Sequence, residues 1–228
     1  MKALAIIHAP FERPGVIEEW FQAKDHFLVQ VHPYRGDILP TMEKFDSLIV
    51  MGGPQSPLEI EKAPYLRLEI QLIEHALKQN MPILGFCLGA QLIGEALGAK
   101  TERSPHKEVG VYPITLTAEG EADPIFENVQ KTFQVIHWHN DMPGLTKTSK
   151  ILAYSEGCPR QVIRYTEKAL GFQCHPEITF QLAQELVDNC PDDLKPNQYV
   201  QSAEEFLEHN FQMINQTMIH ILENFYKL

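Results

Sequence analysis

The sequence predicts an α/β fold, in which a mostly parallel central sheet carries helices on both faces. Short apolar runs of strand length alternate with helix-length segments over the first hundred residues. Their order is strand, helix, strand, strand, helix, strand, helix, which is typical of a parallel sheet covered on both sides. A chain of 228 residues is long enough for one well-cored domain, and two full domains are not expected.

Four short apolar runs predict strands of the parallel sheet, and the first of them predicts a buried strand. Each is bounded by turn residues or by a helical pattern, as short strands usually are. In chain order they are ALAII (3–7), FLVQVH (27–32), SLIVM (47–51) and ILGF (83–86). The third run ends abruptly at Gly52-Gly53-Pro54, which predicts a tight turn at the end of that strand.

Three segments between and after these runs predict helices. VIEEWF follows Pro14-Gly15, and apolar residues recur at helical spacing from Leu66 to Leu77, ahead of Pro82. LIGEALGAK follows Cys87 and predicts a third helix, which ends at Gly98. Beyond residue 109 the pattern changes to shorter β-like runs, which predict antiparallel strands added at the edge of the sheet. These runs are VYPITLT, FQVIHW, ILAYS, QVIRY and ALGFQC.

The tail differs from the rest of the chain. CPDDLKPNQ, from residue 190, predicts a loop, and Ser202 with Glu205 predicts a capping box ahead of a helix over 203–227. We expect a domain over 1–189 and a tail, 190–228, packed on that same domain. The alternative is that the helix exposes its apolar stripe as the interface of a homodimer or a partner protein. The stripe consists of Leu207, Phe211, Ile214, Met218, Ile221, Leu222 and Phe225.

Charge and cysteine usage exclude several classes of function. Lys and Arg number 19 against 30 Asp and Glu, so the net charge of −11 repels nucleic acid and anionic membrane surfaces. The four cysteines show no CxxC pairing, which favours reduced thiols in the cytoplasm and no metal site. The apolar run in MKALAII is too short for a signal peptide, and no run approaches membrane-spanning length. No cofactor is indicated.

Cys87 is the strongest candidate for a catalytic residue. In Gly85-Phe86-Cys87-Leu88-Gly89 a small residue stands two positions before and after the cysteine, as a sharp strand-to-helix turn requires. Such a turn places the sulfur at a helix N-terminus, where the dipole and free amides favour the thiolate. The alternative, a small buried core cysteine, is about equally compatible with this motif alone.

Two further segments supply the groups that a nucleophilic cysteine needs. In FQCHPEI, His175 and Glu177 can project to the same side at the end of a predicted strand, as a base and its orienting carboxylate. The turn at Gly52-Gly53 can offer the Gly53 amide to an oxyanion, beside the Leu88 amide. A surface turn is the alternative for each segment. All three segments fall at the ends of predicted strands, where α/β sheets form their sites.

The chain resembles the class I (triad) glutamine amidotransferases. The resemblance rests on Gly52-Gly53-Pro54, on Gly85 to Gln91 and on His175-Pro176-Glu177, in that order. SPHKEVG (104–110) and HWHND (137–141) also occupy the places of family segments. The resemblance covers about residues 3 to 180. The overall likeness is to stand-alone, GMP-synthase-like glutaminase domains. Cys174 departs from the pattern, since an apolar, bulkier residue is common there, which leaves the pocket wall beside His175 open.

The resemblance implies a flavodoxin-like sheet and a role for each matching residue. Cys87 would be the nucleophile, His175 the base and Glu177 the orienter, with Gly53 and Leu88 giving the oxyanion amides. The implied binding residues for the glutamine substrate are Gln91, Asn140 and Asp141, the last two through backbone groups.

Three functions remain open at this point. The first is an amidotransferase that hydrolyses L-glutamine through a γ-glutamyl thioester and passes ammonia to a synthase on another chain. The second is a stand-alone hydrolase of γ-glutamyl peptides or related compounds, which uses the same chemistry. The third is a non-catalytic regulatory module. An intact triad argues against the third, and no glycine-rich phosphate loop indicates a synthase within this chain.

Overall fold

The computed structural model describes residues 1–228 and contains ten strands and seven helices. The strands are β1 (Lys2–Ile6), β2 (Phe27–Val31), β3 (Ser47–Val50), β4 (Ile83–Phe86), β5 (Glu102–Leu116), β6 (Thr132–Met142), β7 (Lys150–Tyr154), β8 (Val162–Thr166), β9 (Ala169–Phe172) and β10 (Tyr199–Val200). The helices are α1 (Val16–Ala23), α2 (Leu66–Lys78), α3 (Leu88–Ala96), α4 (Ala118–Glu121), α5 (Phe180–Asn189), α6 (Ala203–Leu207) and α7 (Phe211–Phe225). None of the helices combines the length and the apolar character that crossing a bilayer requires.

All ten strands form one sheet, and the predicted α/β class is confirmed. Five neighbouring strands, in the order β9-β4-β3-β1-β2, are parallel to one another. Strands β8, β7, β5 and β6 extend the sheet beyond β9 through antiparallel pairs. The short β10 pairs in parallel with β5. The antiparallel addition predicted for the second half of the chain is therefore present. The prediction is wrong for ALGFQC, which forms β9 inside the sheet and pairs in parallel with β4.

Strand alternation divides the interior into two main cores on opposite faces of the sheet. On β1, Ala3 and Ala5 face one core with α1 and α7, whereas Leu4 and Ile6 face the other with α2 and α3. A strand covered on both faces has no polar side, which explains why β1, β3 and β4 read as continuous apolar runs. A third, smaller cluster joins α5, α6 and the start of α7 to β5 and β6.

The tail contains two helices, so the prediction of one continuous helix over 203–227 is wrong. The capping box of Ser202 and Glu205 is present, but α6 ends at Leu207 after five residues. Asn210 then caps α7 by accepting a hydrogen bond from the Met213 amide. The break arises because a second N-cap residue stands inside the apolar stripe, and a new helix direction lets both halves reach the core.

The later stripe residues of α7 are buried in the core that contains α1 and β1, whereas Phe211 and Ile214 belong to the third cluster. Met218 and Leu222 are fully buried and belong to the core that contains α1 and β1. Asn224, on the same helix, donates to the Ile125 and Glu127 carbonyls, which fixes α7 against the segment after α4. Tyr226 stacks on Trp20 of α1 with ring centroids 5.3 Å apart. The structure thus assigns the stripe to internal packing.

The parallel strands deliver the candidate site residues to one edge of the sheet. β3 ends just before Gly52-Gly53, β4 ends at the residue before Cys87, and β9 ends three residues before His175. An isolated bridge between Ile136 of β6 and His175 holds the last of these segments, through a 2.7 Å hydrogen bond from the His175 amide. The carboxyl ends of neighbouring parallel strands are where sites of such sheets form.

Two substitutions on α7 test whether the tail shares the core. Met218 is fully buried and Met213 is 62 % exposed. Met218→Ala should lower the free energy of unfolding by about 2–5 kcal/mol, because it removes buried methylenes and leaves a cavity. Met213→Ala should change it by less than about 0.5 kcal/mol. Urea unfolding of both variants measures the difference, and equal stabilities would show that α7 contributes little to the core.

Candidate active site

Cys87 occupies a strained strand-to-helix turn. Its φ of 48° and ψ of −104° lie in a region that side-chain-bearing residues rarely adopt, and it is the N-cap of α3. Gly85 and Gly89 make the turn possible. A Cβ on Gly89 would overlap the Val50 carbonyl, and one on Gly85 would overlap the Gly89 backbone. The spacing of small residues therefore reflects two close backbone contacts, as expected of a nucleophile elbow.

The elbow holds the Cys87 thiol in a defined place. The Cys87 amide donates to the Phe172 carbonyl at 2.7 Å, which ties the turn to the end of β9. Its Sγ lies 3.8 Å from the Trp138 carbonyl oxygen of β6. The side chain is mostly buried but borders an open cleft. Because Leu88 opens α3, its amide belongs to the first turn, whose amides have no intrahelical acceptor.

His175 and Glu177 form a buried pair beside the thiol. His175 Nδ1 lies 2.8 Å from Glu177 Oε1, and both side chains are 1 % exposed. The Nε2 atom makes no hydrogen bond in the structure. Burial by itself would lower the pKa of His175, but the Glu177 carboxylate and the Cys87 thiol together raise this pKa well above 6.5.

The Gly52-Gly53 turn forms the opposite wall of the site. A Cβ on Gly52 would overlap Glu12 Oε2 and would lie 2.9 Å from His175 Cε1. Gly53 lines the cleft together with Cys87, and its amide makes no hydrogen bond within the protein. Glycine is needed at both positions because the backbone passes too close to other groups to carry a side chain.

Cys87, the turn after β3 and residues of β6 line a cleft of about 240 Å³, here called the Cys87 cleft, and the buried His175–Glu177 pair lies behind this wall. Its wall is mostly polar. The lining residues that bear on the site are Phe11, Glu12, Gly53, Gln55, Ser56, Cys87, Gln91, Arg103, Lys107, Trp138, His139, Asn140, Asp141 and Asp193. Larger hollows elsewhere do not contain the Cys87 thiol. A cleft of this volume suits a small polar molecule.

The residues predicted to hold substrate line this cleft in different ways. Gln91 is buried and donates to Gln173 Oε1 at 3.0 Å. Asp141 is also buried, and its carboxylate accepts from Arg103 and Ser56, each at 2.6 Å. The Asn140 side chain is exposed. All three lie around one cavity, and their binding roles remain predictions.

Glu12 is a site residue that the sequence analysis missed. It lies in the loop after β1, and its carboxylate contacts the Gly52 backbone in the Cys87 cleft. Burial raises the pKa of Glu12, the charge of His175 opposes this rise, and the nearby Glu177 carboxylate adds to it. An acidic residue shortly after a buried strand was the available signal, but residue type alone did not show which way the loop turns.

A second buried cluster lies behind the site. Glu108 of β5 faces His137 and His139 of β6, with the ligand-type atoms within 4.8 Å of one another. Burial would raise the pKa of Glu108, but hydrogen bonds from the two histidines lower it overall. Glu108 Oε2 already lies within hydrogen-bonding distance of Ser155, Gln161 and His139. The cluster therefore forms part of a buried hydrogen-bond network that joins β5 to β6.

Comparisons with known proteins identify the family. The sequence model of the protein family "Glutamine amidotransferase class-I" matches residues 22–192 of the chain. The glutamine amidotransferase-like protein YfeJ of Salmonella typhimurium is 40% identical over 98% of this chain and 96% of its own length. A subunit of the glutamine-hydrolysing GMP synthase of Methanococcus aeolicus is 33% identical over 60% of this chain and 67% of its own. A glutamine amidotransferase from Thermotoga maritima superimposes with a TM-score of 0.90 at 27% identity, over 100% of this chain and 99% of that one.

The fold and the elbow define an α/β protein with a cysteine-centred cleft at the carboxyl edge of its sheet. The chain belongs to the class I glutamine amidotransferase family, as its resemblance to that family predicted.

The pairing of His175 with Glu177 has a measurable consequence. Glu177→Gln should lower the pKa of His175, because it removes the carboxylate charge that raises it. The pKa of His175 is higher in the folded protein than the ordinary histidine value of about 6.5. The pair therefore contributes its full stabilisation below about pH 6.5, and this contribution is lost as the pH rises through the pKa of His175 in the folded protein. The stability gap between the wild type and this variant should therefore narrow at high pH.

NMR titration of His175 and urea unfolding across pH measure both effects. Glu185→Gln is the matched control, because Glu185 pairs with Arg13 at the half-exposed surface. It should shift the stability by less than about 1 kcal/mol. An unchanged His175 pKa in Glu177→Gln would contradict the assignment of the shift to this carboxylate.

Proposed function

We propose that this protein hydrolyses the side-chain amide of L-glutamine through a γ-glutamyl thioester on Cys87, with release of glutamate and ammonia. The observation that supports this most directly is the convergence of three segments around the Cys87 thiol. Cys87 on a strained elbow and Gly53 line one cleft, and the buried His175–Glu177 pair lies beside Gly52 and interacts with the thiol. Nucleophile, base, orienter and oxyanion donor are the four parts that such a reaction needs.

Acylation uses these parts in sequence. The Cys87 thiol passes its proton to His175 Nε2, and the sulfur attacks the amide carbon of glutamine. The carbonyl oxygen becomes an oxyanion, which the Gly53 and Leu88 amides stabilise. When the intermediate collapses, the carbon–nitrogen bond breaks and His175 returns the proton to the departing nitrogen, so that ammonia leaves. Glu177 holds the Nδ1 proton and favours the protonated ring while the proton is in transit.

Deacylation repeats the same geometry with water. His175 takes a proton from a water molecule, and the oxygen attacks the thioester carbon. The carbon–sulfur bond then breaks, the sulfur recovers its proton from His175, and glutamate is released. Arg103, paired with Asp141 at the rim of the cleft, and Glu12 supply opposite charges for the two ionic groups of the amino acid. Gln91 completes the wall beside the thiol.

The destination of the ammonia is proposed to be a synthase on a separate chain. The likeness to a protein named as a subunit of GMP synthase supports this. The net charge of −11 would favour a partner with a basic docking surface. The four free thiols fit a reducing compartment such as the cytoplasm.

The first experiment measures ammonia and glutamate released from L-glutamine by the purified chain. Cys87→Ala should reduce kcat by about 10⁴-fold or more, because the covalent route is lost. Cys158→Ala is the matched control, since this buried thiol lies outside the cleft and should leave kcat close to wild type.

A γ-glutamyl dipeptide offered in parallel tests the competing hydrolase function. A preference for the dipeptide would contradict the proposal and favour a γ-glutamyl hydrolase. Release from glutamine that persists in Cys87→Ala would contradict the thioester mechanism itself.

A further inference from the structure

His8 is a buried histidine that the mechanism above does not use. It lies just beyond the end of β1, and its side chain is fully buried. His8 Nε2 lies 2.8 Å from Glu69 Oε2 of α2, which is also fully buried. His8 Nδ1 lies 3.1 Å from the Gly52 carbonyl oxygen. The ring therefore spans the distance between α2 and the turn that carries Gly53.

The two partners of His8 fix its protonation state. A carboxylate and a carbonyl oxygen both accept hydrogen bonds, so each ring nitrogen must donate. A neutral ring would set a nitrogen lone pair against one of these oxygens. With Glu69 as the carboxylate, only the imidazolium satisfies both contacts. Burial opposes that charge, but Glu69, the Gly52 carbonyl and the more distant Glu12 outweigh it, so the pKa of His8 is raised.

The contact with Gly52 determines the direction of the Gly53 amide. The carbonyl of Gly52 and the N–H of Gly53 belong to one planar trans peptide unit, in which the C=O and N–H bonds point in opposite directions. A hydrogen bond that holds the carbonyl toward His8 therefore turns the N–H away from His8. That N–H has no acceptor in the protein, and Gly53 lines the Cys87 cleft.

Two adjacent glycines cannot hold this orientation by themselves. Glycine adopts backbone conformations of both hands at little cost, so a rotation of the Gly52–Gly53 peptide unit meets no side-chain barrier. Gln55 adds a second tie, because its side chain donates to the His8 carbonyl at 3.2 Å. The interaction that acts on the peptide unit itself is the one from His8 Nδ1.

We propose that His8, as an imidazolium held by Glu69, is a positioning residue that keeps the Gly53 N–H directed at the oxyanion. This inference rests on the proposed function, since it assigns to that reaction a residue outside the triad. An oxyanion donor acts only if it is aimed in advance at the developing charge. Loss of the Nδ1 donor should therefore weaken the transition state and leave the bound substrate little affected.

A pair of substitutions separates the two nitrogens of the ring. In His8→Asn the side-chain amide stands close to the place of Nδ1 and can still donate to the Gly52 carbonyl. In His8→Gln it reaches the place of Nε2, so the Glu69 contact is kept and the Gly52 contact is lost. A purely structural role, in which His8 only satisfies the buried Glu69, would make His8→Gln the better tolerated variant.

The measurements are kcat and KM for glutamine, thermal stability, and the rate at which iodoacetamide alkylates Cys87. His8→Gln should lower kcat by about 10²-fold with little change in KM, as for loss of an oxyanion donor. Its alkylation rate should stay within about twofold of wild type, because alkylation needs the thiolate but no oxyanion donor. His8→Asn should retain most of kcat. A wild-type kcat in His8→Gln, or equal losses in both variants, would overturn the proposal.

Nitrogen-15 NMR of histidine-labelled wild-type protein tests the same idea without a variant. Both nitrogens of His8 should carry protons at neutral pH. An unprotonated Nδ1 would overturn the proposal whether or not either variant folds.

This measurement also separates the inference from the proposed function. If the wild-type chain turned over neither glutamine nor a γ-glutamyl dipeptide, the proposed function would fail. The NMR measurement would still show whether His8 Nδ1 carries the proton that it needs to donate to the Gly52 carbonyl.

Discussion

The contact on which the site depends is the close approach of the first turn of α3 to the end of β3. Gly89 lies so near the Val50 carbonyl that no side chain fits between them. This approach forces the chain to turn sharply after β4 and holds Cys87 at a positive φ. The same turn brings the amide of Leu88 and the end of β3 to one place. The positions of the Cys87 thiol and of the Leu88 amide thus share one steric cause.

Around this elbow, the site is built from buried charges in pairs. His175 with Glu177 and His8 with Glu69 are each separated by 2.8 Å and shielded from water. A buried charge without a partner is costly. Removal of either member of a pair leaves the other unpaired and therefore destabilises the folded protein. The two pairs lie next to different parts of the site. The first faces the thiol, whereas the second faces the Gly52 carbonyl on the other wall.

The antiparallel half of the sheet contributes the remaining wall of the cleft. β6 brings Trp138 to the thiol, and the Glu108–His139 contact fixes β6 to β5 from behind. Asp193 accepts from the Trp138 indole at 3.0 Å, so the tail loop also touches the cleft. A partner that approached this face would meet β6 and the tail together. β6 and the tail loop therefore also shape the Cys87 cleft.

The sequence by itself determined the fold class, the elbow and the order of the site segments. Continuous apolar strands and a glycine on each side of Cys87 are local patterns, and their physical causes act within a few residues. The pairing of His175 with Glu177 could be predicted for the same reason, since residues two positions apart along an extended chain face the same side.

Only the tertiary structure decided which residues meet across the molecule. The contacts of Glu12, His8 and Glu69 could not be predicted from the sequence, because their partners lie in segments that approach one another only when the sheet is assembled. The break between α6 and α7 was missed because an apolar stripe records which residues are buried, not the direction in which the helix runs. Local periodicity reports burial, whereas contacts between distant segments depend on packing.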